Sequence, residues 1–482
     1  MIRKLAAVFT LTLVSGFAYS QDTLYSLEDC INIALEKNLS VRLSELDYKN
    51  SEIDLFQSKM DRLPNLNLSG GYGINWGRSI DPTSNDFINQ RIKFSSFSGN
   101  SSVTLFNGLQ LTNSIRRDQL NLEASEYDLY DTQNDVALNV ASFYLDVLFN
   151  KELLQNAQNL VEVTSQQLER TTILVEAGVL PITRQLEIES QLATNEVELV
   201  RAENSLNLSI LNLKQALQIP ASDPFDVVIP QFDFDATAEI IEDPQLIYEN
   251  AMASQPDIKS ADLKVESSIL DMKVARGAVS PQLTLDGSLR TNFSDFANQE
   301  RIVFDGISEQ DIPIGFLQND PNQVVLGPRN VPNNPRIDPD FTFSEQFNEN
   351  LSKSISLNLQ IPVFNRWRVR NNVQRAQLGN EQAEIQAAQV RNQLRQSIET
   401  AHNNTNAALK SFQASTRQVA ALERTFENVS IQLGEGIVNQ VDYEIASNNL
   451  FKARSDLTRA KYEYIFRLKI LDFYQGKPLS FD

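Results

Sequence analysis

Cysteine and histidine, which serve in many nucleophilic catalytic sites and as the usual zinc ligands, are almost absent from this sequence. Among the 482 residues there is one cysteine, Cys30, and one histidine, His402. Nucleophilic catalysis needs a nucleophile beside a base, and zinc sites need several Cys, His or carboxylate ligands. Cys30 falls within an apolar helical pattern, so we expect a small buried residue, and His402 falls in a polar helical stretch, so we expect it to be solvated or hydrogen-bonded. The sequence therefore predicts no enzyme, no cofactor and no metal site.

The charge balance restricts the partners further. Lysine and arginine total 42 and aspartate and glutamate total 62, which leaves a formal net charge of −20. Binding to nucleic acid depends on basic side chains that neutralise phosphates, so we predict no nucleic-acid partner. Beyond the N-terminal segment, no apolar run reaches the roughly 20 residues that a membrane-spanning helix needs. A segment of the mature chain that crosses a membrane would therefore have to be a strand.

The N-terminal twenty residues have the pattern of an export signal. Arg3 and Lys4 precede an apolar run at residues 5–14, and Ala18 and Ser20 supply small residues at the spacing of a cleavage site. The apolar run is too short to span a bilayer as a helix. We predict a signal peptide at residues 1–20 and a mature chain that begins near Gln21.

An internal repeat runs through the rest of the chain. Residues 62–70 align with residues 279–287 at an offset of 281 minus 64, or 217. Downstream, Phe106-Asn107-Gly108 aligns with Phe364-Asn365-Arg366, and the glycine turn at 176–179 aligns with 434–437, both at an offset of 258. Apolar residues recur every seven positions on both sides of each glycine turn, which is typical of helices packed as coiled coils.

Each half predicts a helix, two strands, a very long helix, a glycine turn and a further helix. The first repeat covers residues 21–238, with strands at about 64–76 and 100–106 and helices at about 108–177 and 183–218. The second covers residues 239–482, with strands at about 281–293 and 352–363 and helices at about 366–433 and 439–474. The longest helices would be about 100 Å long at about 1.5 Å per residue, so they must form a rod or the wall of a tube.

Apolar and polar residues alternate in all four predicted strands. This pattern fits a half-buried sheet of a soluble protein, and it also fits a membrane barrel with one face on lipid and one on a watery lumen. Two features favour the barrel: the long polar loops predicted at about 77–99 and 294–350, and aromatic residues near the strand ends. The aromatic residues are Tyr72, Trp76, Phe94, Phe97, Phe293 and Phe296. Four strands are too few to close a barrel, so several copies must share one.

The chain resembles the TolC-like outer membrane efflux protein family over essentially the whole predicted mature sequence. The resemblance rests on residues 26–38, on Leu-Pro-Asn-Leu at 63–66 and Ser-Pro-Gln-Leu at 280–283, on Thr-Leu-Phe-Asn-Gly at 104–108, and on the two glycine turns. It implies an α+β membrane protein, in which a homotrimer builds one transmembrane β-barrel from four strands per protomer. Long coiled-coil helices would continue into the periplasm as an α-helical barrel.

The function implied by the resemblance is that of an outer-membrane channel in a tripartite export system. Such a channel is a passive, water-filled duct for efflux of small molecules or for type I secretion. It lies in outer-membrane lipid, docks with a periplasmic adaptor and an inner-membrane transporter, and needs no cofactor. The heptads alone also fit a structural coiled-coil envelope protein or an adhesin stalk, although a stalk would not need two copies of alternating strands.

The resemblance also assigns roles to residues at the two glycine turns. Glycine tolerates the left-handed backbone that reverses a helix, so these segments connect two helices in either interpretation. In the functional interpretation they also contact the adaptor. The predicted contact residues are Gly178, Val179, Leu180, Gly436, Ile437 and Val438.

A periplasmic gate of Asp442, Arg184 and Glu444 is expected beside the turns. Asp442 aligns with the first of two aspartates that ring the closed tip in the family, and Ile445, next to Glu444, stands at the second position. Three Asp442 carboxylates would repel one another and favour cations. Alternatively, Asp442 only complements the dipole of its helix.

The latch known in the family is altered in this sequence. Arg184 stands where the family often has an acidic residue, and Val438 replaces the usual basic partner. We expect Arg184 to pair instead with Asp442 or with Glu187.

Overall fold

The computed structural model describes residues 24–80, 85, 87–89, 91–230, 243–295, 301–304, 306–318, 320–338 and 341–477. The predicted signal peptide at 1–20 and Phe296 lie outside the described residues. The chain divides into two compact units. Unit 1 holds the described residues of Met1–Ile53, Gln119–Ser268 and Gly379–Asp482, and unit 2 holds those of Asp54–Asp118 and Ile269–Leu378.

Most of the described chain is helical. The helices are α1 (Leu27–Lys37), α2 (Leu39–Met60), α3 (Gln110–Glu176), α4 (Ile182–Ala216), α5 (Pro244–Ser254), α6 (Pro256–Gly277), α7 (Phe343–Glu349), α8 (Arg368–Gly434) and α9 (Gln440–Tyr474). Among the described residues, no helix combines the length and the apolar character that crossing a membrane requires.

The four long helices form two pairs of equal length. Helices α3 and α8 have 67 residues each, and α4 and α9 have 35 residues each. The start of α8 follows that of α3 by 368 minus 110, or 258 residues, and the start of α9 follows that of α4 by 440 minus 182, also 258. Their bounds lie within two residues of those predicted from the heptads, since the predicted helices were about 108–177, 183–218, 366–433 and 439–474.

Strands make up the remainder of the described secondary structure. They are β1 (Leu24–Tyr25), β2 (Asn67–Asn75), β3 (Arg78–Ile80), β4 (Phe87–Asn89), β5 (Ile92–Phe106), β6 (Asp226–Val227), β7 (Gln282–Ser294), β8 (Arg301–Phe304), β9 (Ile307–Leu317), β10 (Asp320–Pro332), β11 (Pro335–Asp338) and β12 (Ser352–Gln360). Four of them, in the order β12-β7-β5-β2, form an antiparallel sheet in unit 2.

The core of unit 1 is built where α1, α3 and α4 pack together. Cys30, Ala34, Val147 and Leu213 are fully buried there, so the expectation of a small buried role for Cys30 is confirmed. Tyr144 is buried in this core. Its hydroxyl donates a hydrogen bond at 2.7 Å to the carbonyl oxygen of Val228, the residue that follows β6. Its ring is enclosed by apolar groups while its single polar atom keeps a hydrogen-bond partner.

His402 lies on α8 and is half-buried. Asn406, one helical turn later, places its amide nitrogen 3.4 Å from the His402 ring nitrogens. His402 is therefore held in a polar contact, as the sequence predicted for it.

Two loop predictions are wrong in part. Residues 92–99, predicted as loop, belong to β5, which begins at Ile92 and not near residue 100. This stretch lacks apolar alternation, yet it lies between β2 and β7 and both neighbours complete its ladder of hydrogen bonds. The predicted loop at 294–350 contains the hairpin of β9 and β10, the paired strands β8 and β11, and helix α7.

Candidate functional site

The four-stranded sheet of unit 2 has two chemically different faces. Its registers align Leu68 with Gly99, Gly99 with Leu289, and Leu285 with Leu357. Because successive side chains of a strand point to opposite faces, these rows separate apolar from polar residues. The mainly apolar face, called the apolar face below, carries Leu68, Gly70, Tyr72, Ile74, Phe97, Gly99, Val103, Leu283, Leu285, Leu289, Phe293, Ile355, Leu357 and Leu359. It also carries the polar residues Lys93, Ser95, Ser101, Thr291 and Lys353. The polar face carries Ser69, Gly71, Ser96, Ser98, Asn100, Ser102, Thr284, Asp286, Ser288, Arg290, Ser354, Ser356 and Asn358.

Much of the apolar face is uncovered within the described chain. Leu68 is 79% exposed, Ile355 is 83% exposed and Leu359 is 62% exposed. Continuous exposed apolar surface of this kind marks contact with another protein or with a membrane. The apolar face is therefore a candidate surface for lipid.

Side chains on the polar face form hydrogen bonds with one another, both across and along the strands. Ser69 Oγ lies 2.7 Å from Ser98 Oγ, and Ser288 Oγ lies 2.8 Å from Ser354 Oγ. Asp286 accepts hydrogen bonds from the Asn358 amide at 2.6 Å and from the Thr284 hydroxyl at 3.1 Å. Short hydroxyl and amide side chains with a few charges suit a surface in contact with water.

Aromatic residues bound the apolar face at two ends. At one end, Tyr72, Phe97 and Phe293 lie on this face in adjacent strands. At the other end, a register shift after Thr104 brings Phe106 opposite Leu283. Phe94, also predicted among the aromatic residues near the strand ends, lies on the polar face, where its ring covers Gly73.

The two glycine turns have the same backbone geometry. Gly178 and Gly436 have φ values of 74° and 71°, which favour glycine. In the first turn the Gly178 N–H donates to Val175 O and the Val179 N–H to Leu174 O, both at 2.9 Å. In the second, Gly436 and Ile437 donate to Leu433 and Gln432 in the same pattern. Both turns are Schellman motifs that end the preceding helix.

Exposed apolar side chains stand on both turns. Val179 is 67% exposed and Ile437 is 72% exposed, while Leu180 and Val438 are half-buried. An exposed valine and an exposed isoleucine at matching positions of two turns form a small apolar surface on each.

Of the predicted gate residues, the structure brings Arg184 and Glu444 together. Arg184 forms an ion pair with Glu187 at 3.1 Å, which is one of its two predicted partners. Burial raises the pKa of Glu444, and the nearby Glu187 carboxylate adds to this effect while Arg184 opposes it. Asp442 is exposed in the first turn of α9, where its N–H donates to the side chain of the N-cap residue Asn439.

Sequence reasoning missed a buried polar seam beside Glu444. Asn195 on α4 donates to the Thr164 hydroxyl on α3 at 2.8 Å, and both side chains are buried. Asn195 and Gln440 line the same small cavity as Glu444. The heptad pattern could have indicated these residues. Thr164 and Asn195 stand three positions after the apolar residues Val161 and Leu192, where a coiled coil normally has its second apolar residue of the heptad.

Comparison with known proteins identifies the class to which this fold and these surfaces belong. A family model described as "Outer membrane efflux protein" matches residues 30–217 and 247–476. The chain therefore belongs to the outer membrane efflux protein family and is an outer-membrane protein.

Particular relatives agree with this assignment. The outer membrane protein TolC of Vibrio cholerae is 22% identical over 421 residues, which cover 87% of this chain and 83% of the relative. The outer membrane protein TolC of Escherichia coli is 20% identical over 476 residues, which cover 96% of this chain and 84% of the relative. Together with the family match, the similarity supports an outer-membrane channel for efflux.

Solved structures show the same fold. The chain superposes on CusC with a TM-score of 0.71 at 16% identity, covering 94% of this chain and 92% of that one. It superposes on the outer membrane protein VceC from Vibrio cholerae with a TM-score of 0.69 at 13% identity, covering 94% and 96%. This protein therefore has the fold of these solved outer-membrane proteins.

Proposed function

We propose that this chain is one protomer of a homotrimeric outer-membrane duct, which forms the exit channel of a tripartite export system. The observation that carries the proposal is the two-faced sheet of unit 2, whose exposed apolar face is bounded at both ends by aromatic residues. The duct would serve efflux of small molecules or type I secretion and would be passive, without catalysis or cofactor.

The height of the apolar face supports its placement in a bilayer. From Leu283, opposite Phe106, to Phe293 there are 293 minus 283, or 10, residue steps along β7. At about 3.4 Å per residue this is about 34 Å of strand. A barrel strand tilted by about 40° would then span about 25 Å, which is the height of the apolar band of outer-membrane barrels. A structural stalk would require no such face.

The two edges of the sheet support a single barrel that several protomers share. Within the described residues, β2 and β12 form its two edges. Unpaired backbone groups in hydrocarbon each cost several kcal/mol, so membrane strands must close into a barrel. If β12 of one protomer pairs with β2 of the next, three protomers supply twelve strands, the number that the family resemblance implies.

The two equal pairs of long helices support an internal duplication with repeats at about 21–238 and 239–482. In the proposed duct these helices form the α-helical barrel of the periplasmic part. The turn residues Gly178, Val179, Leu180, Gly436, Ile437 and Val438 would contact the periplasmic adaptor, and an inner-membrane transporter would supply the energy. Asp442, Arg184 and Glu444 would form the gate.

Purified protein in a planar lipid bilayer tests the proposal. We expect a trimer in detergent that dissociates on heating and conducts ions after insertion. A soluble monomer or dimer without conductance would contradict the proposed duct.

A matched pair of substitutions on β12 sharpens the test. Ile355 lies near the middle of the apolar face, and Ser356 is its neighbour on the polar face. Arginine at the lipid-facing midplane of a barrel costs about 2–4 kcal/mol, so Ile355→Arg should reduce insertion while Ser356→Arg inserts and alters conductance. Equal insertion of both variants would contradict the assigned faces.

A further inference from the structure

Helix α7 packs on the apolar face of the sheet, at the end marked by Tyr72 and Phe293. The Phe343 ring centroid lies 5.2 Å from that of Phe293, and the Phe347 ring centroid lies 6.0 Å from that of Phe97. Phe97 and Phe293 both belong to the apolar face. The helix therefore lies over the same side of the sheet as Leu285 and Leu289.

A buried glutamine fixes α7 to the end of β7. Gln346 is fully buried, and its amide nitrogen donates to Ser294 O at 3.0 Å and to Phe341 O at 2.9 Å. Its side-chain oxygen accepts from the Ser294 N–H at 3.0 Å. A glutamine that forms three hydrogen bonds to backbone groups holds the helix at a defined position.

Further bonds to the backbone join the end of α7 to the same strand. The Thr291 hydroxyl donates to Phe347 O at 2.7 Å, and the Asn350 amide donates to Asn292 O at 2.8 Å. At its start, Thr342 and Glu345 form a capping box. The segment is thus an ordered part of unit 2.

Aromatic rings of α7 extend the apolar face instead of covering it. Phe343 is 48% exposed and Phe347 is 38% exposed, although both contact the rings of the sheet. The exposed side of this cluster is continuous with the apolar face, and polar residues of the same helix, such as Ser344 and Glu345, are also exposed. A rigid aromatic surface with adjacent polar groups suits the boundary between acyl chains and headgroups.

Lys353 lies on the neighbouring strand β12, on the α7 side of Ile355. It is the second residue of β12, follows α7 closely in the chain, and lies opposite Leu289 on the apolar face. A lysine on this face can bury its stem against apolar surface and extend its ammonium group toward headgroups. Its charge favours the anionic headgroups of a lipid surface over an apolar protein partner.

We propose that α7 is an interfacial anchor that binds outer-leaflet lipid, with Phe97, Phe293, Phe343 and Phe347 inserted at the level where acyl chains meet headgroups. This inference rests on the proposed membrane barrel and adds to it a lipid contact made by a helix outside the strands. The anchor fixes the depth of the sheet in the bilayer, because Gln346 couples α7 rigidly to β7.

Tryptophan quenching by brominated lipid tests the anchor. The two native tryptophans are replaced by Trp76→Phe and Trp367→Phe, and a single tryptophan is then introduced by Phe343→Trp. The full-length trimer is reconstituted in vesicles whose phosphatidylcholine is brominated either near the headgroup or near the middle of the acyl chain. We expect a large loss of emission with bromine near the headgroup and a smaller loss with deep bromine. If Phe343→Trp does not assemble, Phe347→Trp replaces it with the same expected result.

Two reference positions separate the anchor from the barrel. Ile355→Trp, near the middle of the apolar face, should lose most emission with deep bromine, and Ser356→Trp, on the polar face, should lose little with either lipid. If Ile355→Trp is quenched and neither α7 tryptophan is, the anchor is wrong while the barrel stands. If Ile355→Trp is not quenched by either lipid, the membrane barrel itself is wrong. Quenching of the α7 tryptophan mainly by deep bromine would contradict the interfacial level.

The role of Gln346 is tested in the same assay. Gln346→Leu removes three hydrogen bonds to the backbone, so the Phe343→Trp emission should lose its dependence on bromine depth while conductance remains. Ser344→Leu, an exposed position of the same helix, adds the same side chain and should leave that dependence unchanged. An unchanged depth profile in Gln346→Leu would show that the glutamine does not position the helix.

Discussion

Gly108 and Arg366 occupy equivalent positions where a strand passes into a long helix, and they show how a single side chain decides local strain. Gly108 has a φ of 66° and Arg366 a φ of 56°, both in the left-handed region. A Cβ atom on Gly108 would lie 2.3 Å from Gly277 O, which no side chain tolerates. The first position therefore requires glycine for both space and conformation, while the second carries an arginine in a disfavoured conformation.

Opposite effects are expected from substitutions at these two positions. Gly108→Ala should destabilise the protein by about 1–3 kcal/mol, because backbone must move to admit the methyl group. Arg366→Gly should stabilise it by up to about 1 kcal/mol, because glycine adopts positive φ without strain. Thermal dissociation of the detergent-solubilised protein measures both.

Gly379 provides the control for the glycine substitution. It lies within α8, and a Cβ atom there would meet no atom within 4 Å. Gly379→Ala should raise stability by roughly 1 kcal/mol through helix propensity. A loss of stability in this variant equal to that of Gly108→Ala would remove the clash as the explanation.

At the scale of elements, the contact of α3 with α6 and α9 in unit 1 contains an acidic cluster. The pKa of Asp131 on α3 is raised to about 6, mainly by burial and also by Asp135, Asp257 and Asp128, while Lys264 lowers it. Burial is the main cause that raises the pKa of the Tyr474 hydroxyl on α9, and Asp135, Asp257 and Asp131 add to it. Lys264 offsets part of this charge through its ion pair with Asp128 at 2.8 Å.

The raised pKa of Asp131 makes this contact sensitive to pH. The folded protein binds the Asp131 proton more tightly than the unfolded chain, so the contribution of this group to stability is fully present below the unfolded pKa of 3.8 and is lost as pH rises through about 6. Asp131→Asn should therefore stabilise the protein at pH 8 by about 1 kcal/mol, after allowance for solvent screening of a partly exposed group. The gain should shrink toward pH 4.

Thermal unfolding followed by circular dichroism between pH 4 and pH 8 measures this gain. Asp456→Asn removes an exposed carboxylate of α9 and serves as the matched control, with little expected change. A gain in Asp131→Asn that stays constant over the whole range would exclude proton linkage at this position.

At the scale of the whole molecule, the proposed docking surface depends on two turns that lie far apart in the chain. Val179→Asp and Ile437→Asp each place a carboxylate on an exposed apolar side-chain position. Burial of that charge in a contact with an adaptor should weaken docking by about 10- to 100-fold, while assembly and conductance remain. Resistance of the native host to toxic export substrates, compared with the conductance of the purified variant, separates these effects.

Ser165→Asp controls for added charge alone, because this exposed residue of α3 lies several turns before the glycine. If the host keeps normal resistance with both turn variants, the turns are not docking surfaces. Loss of assembly in the turn variants would instead assign Val179 and Ile437 to packing between helices.

The local periodicity of apolar residues in the sequence was sufficient to predict much of the fold. The heptads and the absence of proline place four long helices within two residues of α3, α4, α8 and α9. Gly178 and Gly436 mark their turns because positive φ is a property of the residue itself. Alternation located β2, β7 and β12 for the same reason, since it depends only on neighbouring residues.

Tertiary structure alone decided the features that depend on residues distant in the chain. The start of β5 at Ile92 follows from its two neighbouring strands, because serine and glycine carry no apolar period of their own. The position of α7 on the sheet follows from Gln346 and Ser294, whose side chain and backbone bond across 52 residues of the chain. Sequence patterns report which face a residue prefers, whereas the identity of its partner depends on how the chain is brought together in space.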